Sequence, residues 1–367
     1  MNGALNLRPR GVWLVTSLEM RQRIRSKRWY VALGVWTVIL AALGALILGA
    51  VALWTTAFED VRSASSVVFS LLMILVLFAM LLVLPALSAG SINGDRSAGT
   101  LATLQATLLS PLEIATGKLI AGWLTGLAFL ALSLPAILPT ALLGGISPFY
   151  LLRELVLVAL LALFITAIGL GLSAITNRQL GSVVLTYVLV LSVTVVLPVV
   201  WFSSAAFLVQ KDVTVTQYHA DYRPVDGHSQ EPQCVKEEAQ VDVVRMDLSQ
   251  PLIWANPVVL LADVAPALPA DYWEYDPEKQ GSKERPDVLR FMQTGIRYVT
   301  HPTHPSMFNS CSTSMPGYPA HLGEPRHLPV WPMGLGSWFL AGAAAFALAT
   351  WRLTVPMKHL GKGTRIA

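Results

Sequence analysis

The sequence predicts an all-α integral membrane protein with six transmembrane helices, an N-terminal interfacial helix and a small mixed extracellular domain between helices 5 and 6. Composition is the first ground: 54% of the 367 residues are apolar, only 13% are charged and the mean hydropathy is +0.57, values foreign to a water-soluble domain. The second is length. Uncharged stretches at 29–54, 64–89, 119–146, 155–175, 180–209 and 328–351 each reach or exceed the roughly 20 residues that cross a bilayer at about 1.5 Å per residue. The third is charge placement, which orients the six.

Arg8, Arg10, Arg21, Arg23, Arg25, Lys27 and Arg28 precede the first stretch against one acid, Glu19, and Arg352, Lys358, Lys362 and Arg365 follow the last with none. Both termini are therefore expected in the cytoplasm, in keeping with the even number of spans, with Glu59 and Asp60 in the first outer loop and with Arg178 in the second inner loop. From Lys211 to Trp331 there are 16 acids and 10 bases, so the other segments carry +10 of the net +4. The basic balance belongs to the inner leaflet, and no nucleic-acid partner is expected. The first apolar run begins near residue 29 without a small-residue cleavage site, so it reads as a retained helix rather than a signal peptide.

Between the second and third spans lies a punctuated polar patch, residues 94–120, placed by the topology in the cytoplasm. Gly94, Asp95 and Arg96 read as a polar turn, and Leu101, Leu104 and Leu108 then recur at helical spacing over residues 98–109, a short amphipathic helix. Ser110, Pro111 and Glu113 form the sequence of a capping box with proline at the first helical position, so the third span starts there. Such a capped elbow suits transmission of force; a plain chain reversal would use the same caps.

Gly94-Asp95-Arg96, Gly99-Thr100-Leu101, Leu104, Ser110-Pro111-Leu112 and Gly117-Lys118 together resemble the signature of type 2 ATP-binding-cassette (ABC) exporter permeases, usually a Glu-Arg, a Gly-Thr-Leu, a proline and a closing Gly-Lys. Asp95 stands where that family more often has Glu. The resemblance implies that residues 94–113 form the coupling helix seated on a cytoplasmic ABC ATPase, with Asp95, Arg96, Gly99, Thr100, Leu101, Leu104, Ser110, Pro111, Glu113 and Lys118 as the coupling residues. A basic amphipathic helix over 12–28, with Trp13, Leu14, Leu18, Met20 and Ile24 as its apolar members, is similar to the family's interfacial connecting helix. The large insertion before the sixth span is similar to the layout of the G subfamily and its bacterial relatives, and Asn256-Pro257 resembles a dipeptide of their outer segment. The resemblance also implies a bacterial plasma-membrane location and a second permease copy or homologous permease as partner.

The uncharged stretches hold no Asp, Glu, Lys, Arg or His, whereas ion-coupled transporters place ionisable groups at depth. There is also no phosphate-binding loop: Gly117-Lys118 lacks the upstream glycine and is followed by Leu119, and Gly361-Lys362-Gly363 fails likewise. No cofactor is expected in this chain; ATP and Mg would belong to the partner ATPase. The chain is not expected to be an enzyme.

Gly122 with Gly126, Ala167 with Gly171, and Gly169 with Ser173 are small-xxx-small pairs that let helices approach closely, and Pro85, Pro135, Pro139 and Pro198 are candidate kinks. Thr186, Tyr187, Ser192 and Thr194 on the fifth span either line a central pathway or bond back to their own helix.

The outer segment, residues 210–327, reads as a small domain. Residues 213–216 and 241–244 have strand patterns, 257–265 a helix after the Asn-Pro turn, and the proline-rich chain from Tyr272 onward is expected to be loop. Cys234 and Cys311 both fall here, where oxidation is permitted. They read either as a disulfide, whose long loop would add about 4 kcal/mol by chain entropy, or as two thiols. His219, His228, His301, His304, His321 and His327 lack the spacing of a metal site and read as solvated. Residues 1–28, 29–209, 210–327, 328–354 and 355–367 are the resulting segments.

Two function classes follow. One is an export permease moving a lipid, peptide or drug-like amphiphile outward; the other is a membrane scaffold or sensor whose outer domain binds a ligand or envelope partner without transport.

Overall fold

The computed structural model describes residues 7–54, 58–105, 107, 109–221, 232–267, 287–311, 315–319 and 329–354. Leu108, His228, His321, His327 and the tail 355–367 lie outside the described residues.

Helix α1 (Pro9–Ile24) leads into α2 (Lys27–Trp54), and α3 (Phe58–Ser88) returns. Two short helices, α4 (Ser91–Ser97) and α5 (Thr100–Gln105), precede α6 (Pro111–Leu143), α7 (Pro148–Ile175) and α8 (Gln179–Leu191). A π-helical turn, Ser192–Val196, joins α8 to α9 (Leu197–Ser204). Strands β1 (Val209–Asp221) and β2 (Gln233–Val244), then α10 (Pro251–Trp254), α11 (Pro257–Val264), α12 (Val288–Thr300) and α13 (Trp331–Leu353) complete the described chain. Among the described residues six helical stretches are long and apolar enough to cross a membrane: Trp29–Leu53, Asp60–Ser97, Pro111–Leu143, Pro148–Ile175, Gln179–Phe207 and Trp331–Leu353.

Local chemistry sets the boundaries. Ser147 accepts a hydrogen bond from Tyr150 N and is followed by Pro148, so α7 starts with its first turn capped. Pro198 has no N–H for the carbonyl of Thr194, and there the fifth span widens into its π turn, with Leu197 N bonded to Ser192 O.

Helix α7 is the hub, packed by α3, α6, α8, α11 and α13, with Leu157, Val158, Leu161 and Ile165 fully buried. Small residues make this possible. A Cβ on Gly171 would stand 2.5 Å from Ala345 O of α13, one on Gly122 would stand 2.5 Å from Thr166 Cγ2, and one on Gly169 would stand 2.0 Å from Ser88 Oγ. By contrast α2 and the fifth span turn broad apolar faces outward, including Val31, Val38 and Leu46, and Val184, Leu191 and Phe202.

The helices outrun the uncharged stretches, so the expectation of spans without ionisable groups needs correction. Helix α6 takes in Glu113 and Lys118, and α7 takes in Arg153 and Glu154. Glu154 is completely buried and neither of its carboxyl oxygens is hydrogen-bonded. Beside it, Asp287 Oδ1 accepts from Ser70 Oγ at 3.0 Å, Tyr150 OH at 3.2 Å and Arg290 N at 3.0 Å. Burial raises the Asp287 carboxyl above its ordinary value against those hydrogen bonds.

The segment after the fifth span is more regular and more embedded than its composition suggests. The two short strand patterns belong to one long antiparallel hairpin with a bulge between Gln210 and Val213. Cys234 and Cys311 form a disulfide, and the chain on either side of Cys311 lies along the hairpin through Ser310 N to Tyr218 O at 2.9 Å and Cys234 N to Pro316 O at 2.9 Å. Part of the stretch expected to be loop is α12, capped by Asp287 and burying Leu289, where Leu289, Met292, Ile296 and Val299 recur at helical spacing. Helices α11 and α12 share the main core with α3, α6 and α7 through Leu260, Leu261 and Leu289. Trp338 Nε1 donates to Ala255 O at 2.7 Å and Trp331 N to Asp263 Oδ2 at 2.8 Å, tying this segment to α13.

Candidate functional site: the α4–α5 hairpin and its brace

The sequence reading placed a turn at residues 94–96 and a helix over 98–109. The structure moves the break. Asp95 and Arg96 belong to α4, which carries the second span onward, and the chain turns at Gly99, whose φ of +73° suits a residue without Cβ. Helix α5 then runs only from Thr100 to Gln105.

Helix α4 is held from two sides. On one, Ser173 Oγ accepts from Ile92 N at 3.2 Å and Asn93 N at 3.1 Å, Asn93 Nδ2 donates to Thr176 Oγ1 at 2.8 Å, and Arg96 Nη1 donates to Thr176 O at 3.3 Å. Ser182 Oγ closes this cluster on Ala89 O at 2.6 Å. On the other side stands Lys118, whose buried ammonium lies 2.5 Å from Asp95 Oδ2, 2.5 Å from Glu19 Oε1 and 3.4 Å from Ser91 O. One cation thus joins α1, α4 and α6. Asp95 Oδ1 also accepts from Thr100 Oγ1 at 3.1 Å, fixing the turn into α5.

The third span is anchored by the capping box expected of Ser110 and Glu113: Glu113 N donates to Ser110 Oγ at 3.1 Å and Ser110 N to Glu113 Oε2 at 2.8 Å. The structure adds Arg8, whose N and Nε donate to Glu113 Oε1 at 2.9 and 2.8 Å. A Cβ on Gly11 would collide with this carboxylate at 2.6 Å. Further along, a Cβ on Gly117 would stand 2.6 Å from Val15 Cβ, Thr16 Oγ1 donates to Gly117 O at 3.2 Å, and Arg23 Nη1 donates to Thr125 Oγ1 at 2.6 Å. Helix α1 therefore lays a face of small and polar residues on α6, while Trp13, Leu14, Leu18 and Ile24 point away from the bundle. It spans Pro9–Ile24 rather than 12–28, because Lys27 and Arg28 already belong to α2.

The leucines face inward. Leu101 is buried and Leu104 packs beside it in a cluster with Ile92, Ile114, Leu170, Ala349 and Leu353. Among the residues whose side chains are described, the hairpin exposes Ser97, Ala98, Gly99, Thr100 and Thr107 at its tip. Of the anticipated coupling residues, then, Asp95, Arg96, Lys118, Ser110, Pro111 and Glu113 form the brace, Leu101 and Leu104 the packing, and Gly99 and Thr100 the tip. Glu19, Arg8, Asn93, Ser173 and Thr176 were missed by sequence reasoning; the lone acid Glu19 among seven bases was the one available signal.

The polar residues of the fifth span do not gather on one face. Thr186 is buried and donates to Ser182 O at 2.8 Å, Ser192 donates to Val188 O at 2.7 Å, and Tyr187 OH donates to Leu82 O of α3 at 2.6 Å. Thr194 is set apart by the π turn, where Asn256 Nδ2 donates to its carbonyl at 2.9 Å. Among the described residues, no three of His, Cys, Asp and Glu come together as a metal site.

A family model described as ABC-2 family transporter protein matches residues 13–262. The chain belongs to the ABC-2 family of transporter proteins. The match takes in most of α1, the hairpin, five of the six spans and Asn256-Pro257. A search of curated proteins finds no match. As an ABC-2 family member the chain is a multi-pass permease subunit of an ABC transporter, a membrane subunit of a kind not normally catalytic itself, and the family implies partnering with an ABC ATPase subunit. The hairpin thus lies within the matched region of an ABC-2 permease.

Proposed function

We propose that this ABC-2 permease is the membrane half of an ATP-driven exporter, and that the α4–α5 tip docks on its ATPase and passes closure to the spans through Lys118. The observation that carries the reading is the three-way ion cluster of Lys118, Asp95 and Glu19: a push on the tip at residues 97–100 reaches α1 and α6 without passing through a loop. The tip is small and polar, suited to a groove, and the leucines behind it make it stiff.

The basic residues of α1 and Arg352 lie at the hairpin end, which supports placing that end in the cytoplasm and the β1–β2 hairpin outside. The unpartnered apolar faces of α2 and the fifth span suit a second permease copy. The cargo is a lipid, peptide or drug-like amphiphile.

Reconstitution with a partner ABC ATPase subunit tests the reading. Wild-type protein should support ATP-dependent movement of an amphiphile in vesicles. Ala98→Trp, an exposed substitution at the tip, should keep the melting temperature but reduce recovery of the ATPase and coupled hydrolysis. Full coupling in Ala98→Trp would remove the docking assignment, and ATPase binding without cargo movement would favour the scaffold or sensor.

A further inference from the structure

At the α1 end of the bundle an apolar groove of about 510 Å³ opens toward the lipid, lined by Arg23 and Ser26 at its mouth, Trp29, Ala32 and Trp36 of α2 on one wall, and Phe129 of α6 at its floor. Its shape is set in advance. Phe129 meets the rings of Trp29 and Trp36 edge-on at 5.5 and 6.3 Å, and Trp36 Nε1 is fixed by Ser133 Oγ at 2.9 Å. The wall residues Trp29, Ala32, Val35, Trp36 and Ile39 lie on one face of α2, a stripe roughly 15 Å long at about 1.5 Å per residue. One leaflet of a bilayer's hydrocarbon is about 15 Å deep, half of about 30 Å.

The mouth is cationic. Arg23 uses one N–H on Thr125, and a guanidinium has five to offer. Burial pushes it below its usual pKa, and only the charge of Glu19, already held 2.5 Å from Lys118, opposes that. Among the described residues no carboxylate forms an ion pair with it. Arg21, Arg25 and Lys27, its neighbours in sequence, are exposed.

We propose that this groove binds an anionic phospholipid of the leaflet at the α1 end, its phosphate on Arg23 and one acyl chain along the stripe of Trp29, Ala32, Trp36 and Ile39. A guanidinium suits a phosphate through parallel N–H donors, and the aromatic walls suit a chain but not a soluble anion. The site does not depend on export or on the ATPase. A second apolar groove at the far end, lined by Phe149, Leu157, Trp331 and Arg153, provides an internal contrast. There Arg153 already donates to Val264 O and lies over the Phe149 ring at 5.5 Å, so it has less to offer a headgroup.

Native mass spectrometry of the full chain in detergent, titrated with phosphatidylglycerol or phosphatidylcholine, tests this. Wild-type protein should retain phosphatidylglycerol about tenfold better: both lipids carry a phosphate, but only phosphatidylcholine adds a fixed ammonium that the cationic mouth repels. Arg23→Ala should abolish that preference, Arg23→Lys should restore part of it, and Arg153→Ala should leave it intact. Ala32→Trp, which fills exposed groove space, should expel one lipid without lowering the melting temperature. Equal retention of both lipids by wild type, or an unchanged preference in Arg23→Ala, overturns the proposal. So does displacement of the lipid by millimolar inorganic phosphate alone, which would mark a small-anion site. Dissociation of a dimer by Ala32→Trp with the lipid count unchanged would mark a contact between copies and overturn it equally.

Discussion

Asn256 Nδ2 donates to the main-chain carbonyl of Thr194 at 2.9 Å and to that of Val193 at 3.2 Å, while Asn256 Oδ1 accepts from Val258 N at 2.9 Å and Val259 N at 3.1 Å. One buried amide therefore caps α11 and also supplies the donor that Pro198 withholds from the fifth span. The Asn-Pro dipeptide fixes the outer segment to the span at its one irregular turn.

Asn256→Ala should therefore lower the melting temperature in detergent, with a loss of roughly 2–4 kcal/mol from an uncapped helix and stranded carbonyls. Adding Pro198→Ala should recover part of the loss, because an N–H at 198 can then serve Thr194. A melting curve for Asn256→Ala that overlays wild type would refute this account.

Lys118→Met removes the cation shared by Asp95 and Glu19 and leaves two partly buried carboxylates facing each other. A cost of about 3 kcal/mol is expected, read as faster amide exchange confined to α4, α5 and the start of α6. Asp95→Asn in the same background should give much of it back. If exchange rises uniformly through all the spans, the cluster is not a local brace.

Leu104→Asp puts charge into the cluster of Ile92, Leu101 and Leu353 and should loosen the hairpin as well as uncouple it. Ser110→Ala removes only the cap and should cost about 1 kcal/mol. Comparing both with Ala98→Trp separates rigidity from docking: only Ala98→Trp should leave the hairpin's exchange rates unchanged.

Gly171→Val should separate α7 from α13, because its Cβ would meet a backbone carbonyl rather than a flexible side chain. A loss of roughly 1–3 kcal/mol is expected for such overpacking, measured by thermal melting in detergent. A Gly181→Ala control, where nothing beyond its chain neighbours and its own helix backbone lies within 4 Å of the added Cβ, should not destabilise.

The disulfide between Cys234 and Cys311 closes a separation of 77 residues. Thiol reagents applied to intact cells should miss both until a reductant is added and then label both. Labelling without reduction would exclude the disulfide, and failure to label after reduction and denaturation would place the hairpin on the cytoplasmic side.

Six spans, the capping box of Ser110 and Glu113 and the helix after the Asn256-Pro257 turn were determined by the sequence itself. Each rests on interactions within a few residues or on a property, such as uncharged length, that any bilayer reads in the same way. Tertiary structure decided what depends on distant partners. Gly94 to Arg96 looked like a turn because polar residues interrupt the apolar run, yet Lys118, Ser173 and Thr176 supply the donors and acceptors that keep them helical. The leucines at 101 and 104 advertised an amphipathic face, but only the placement of α7 and α13 behind them made that face inward. Glu154 was hidden for the same reason: a buried carboxyl is tolerated only where α3, α7 and α11 close around it, and no local pattern announces that closure.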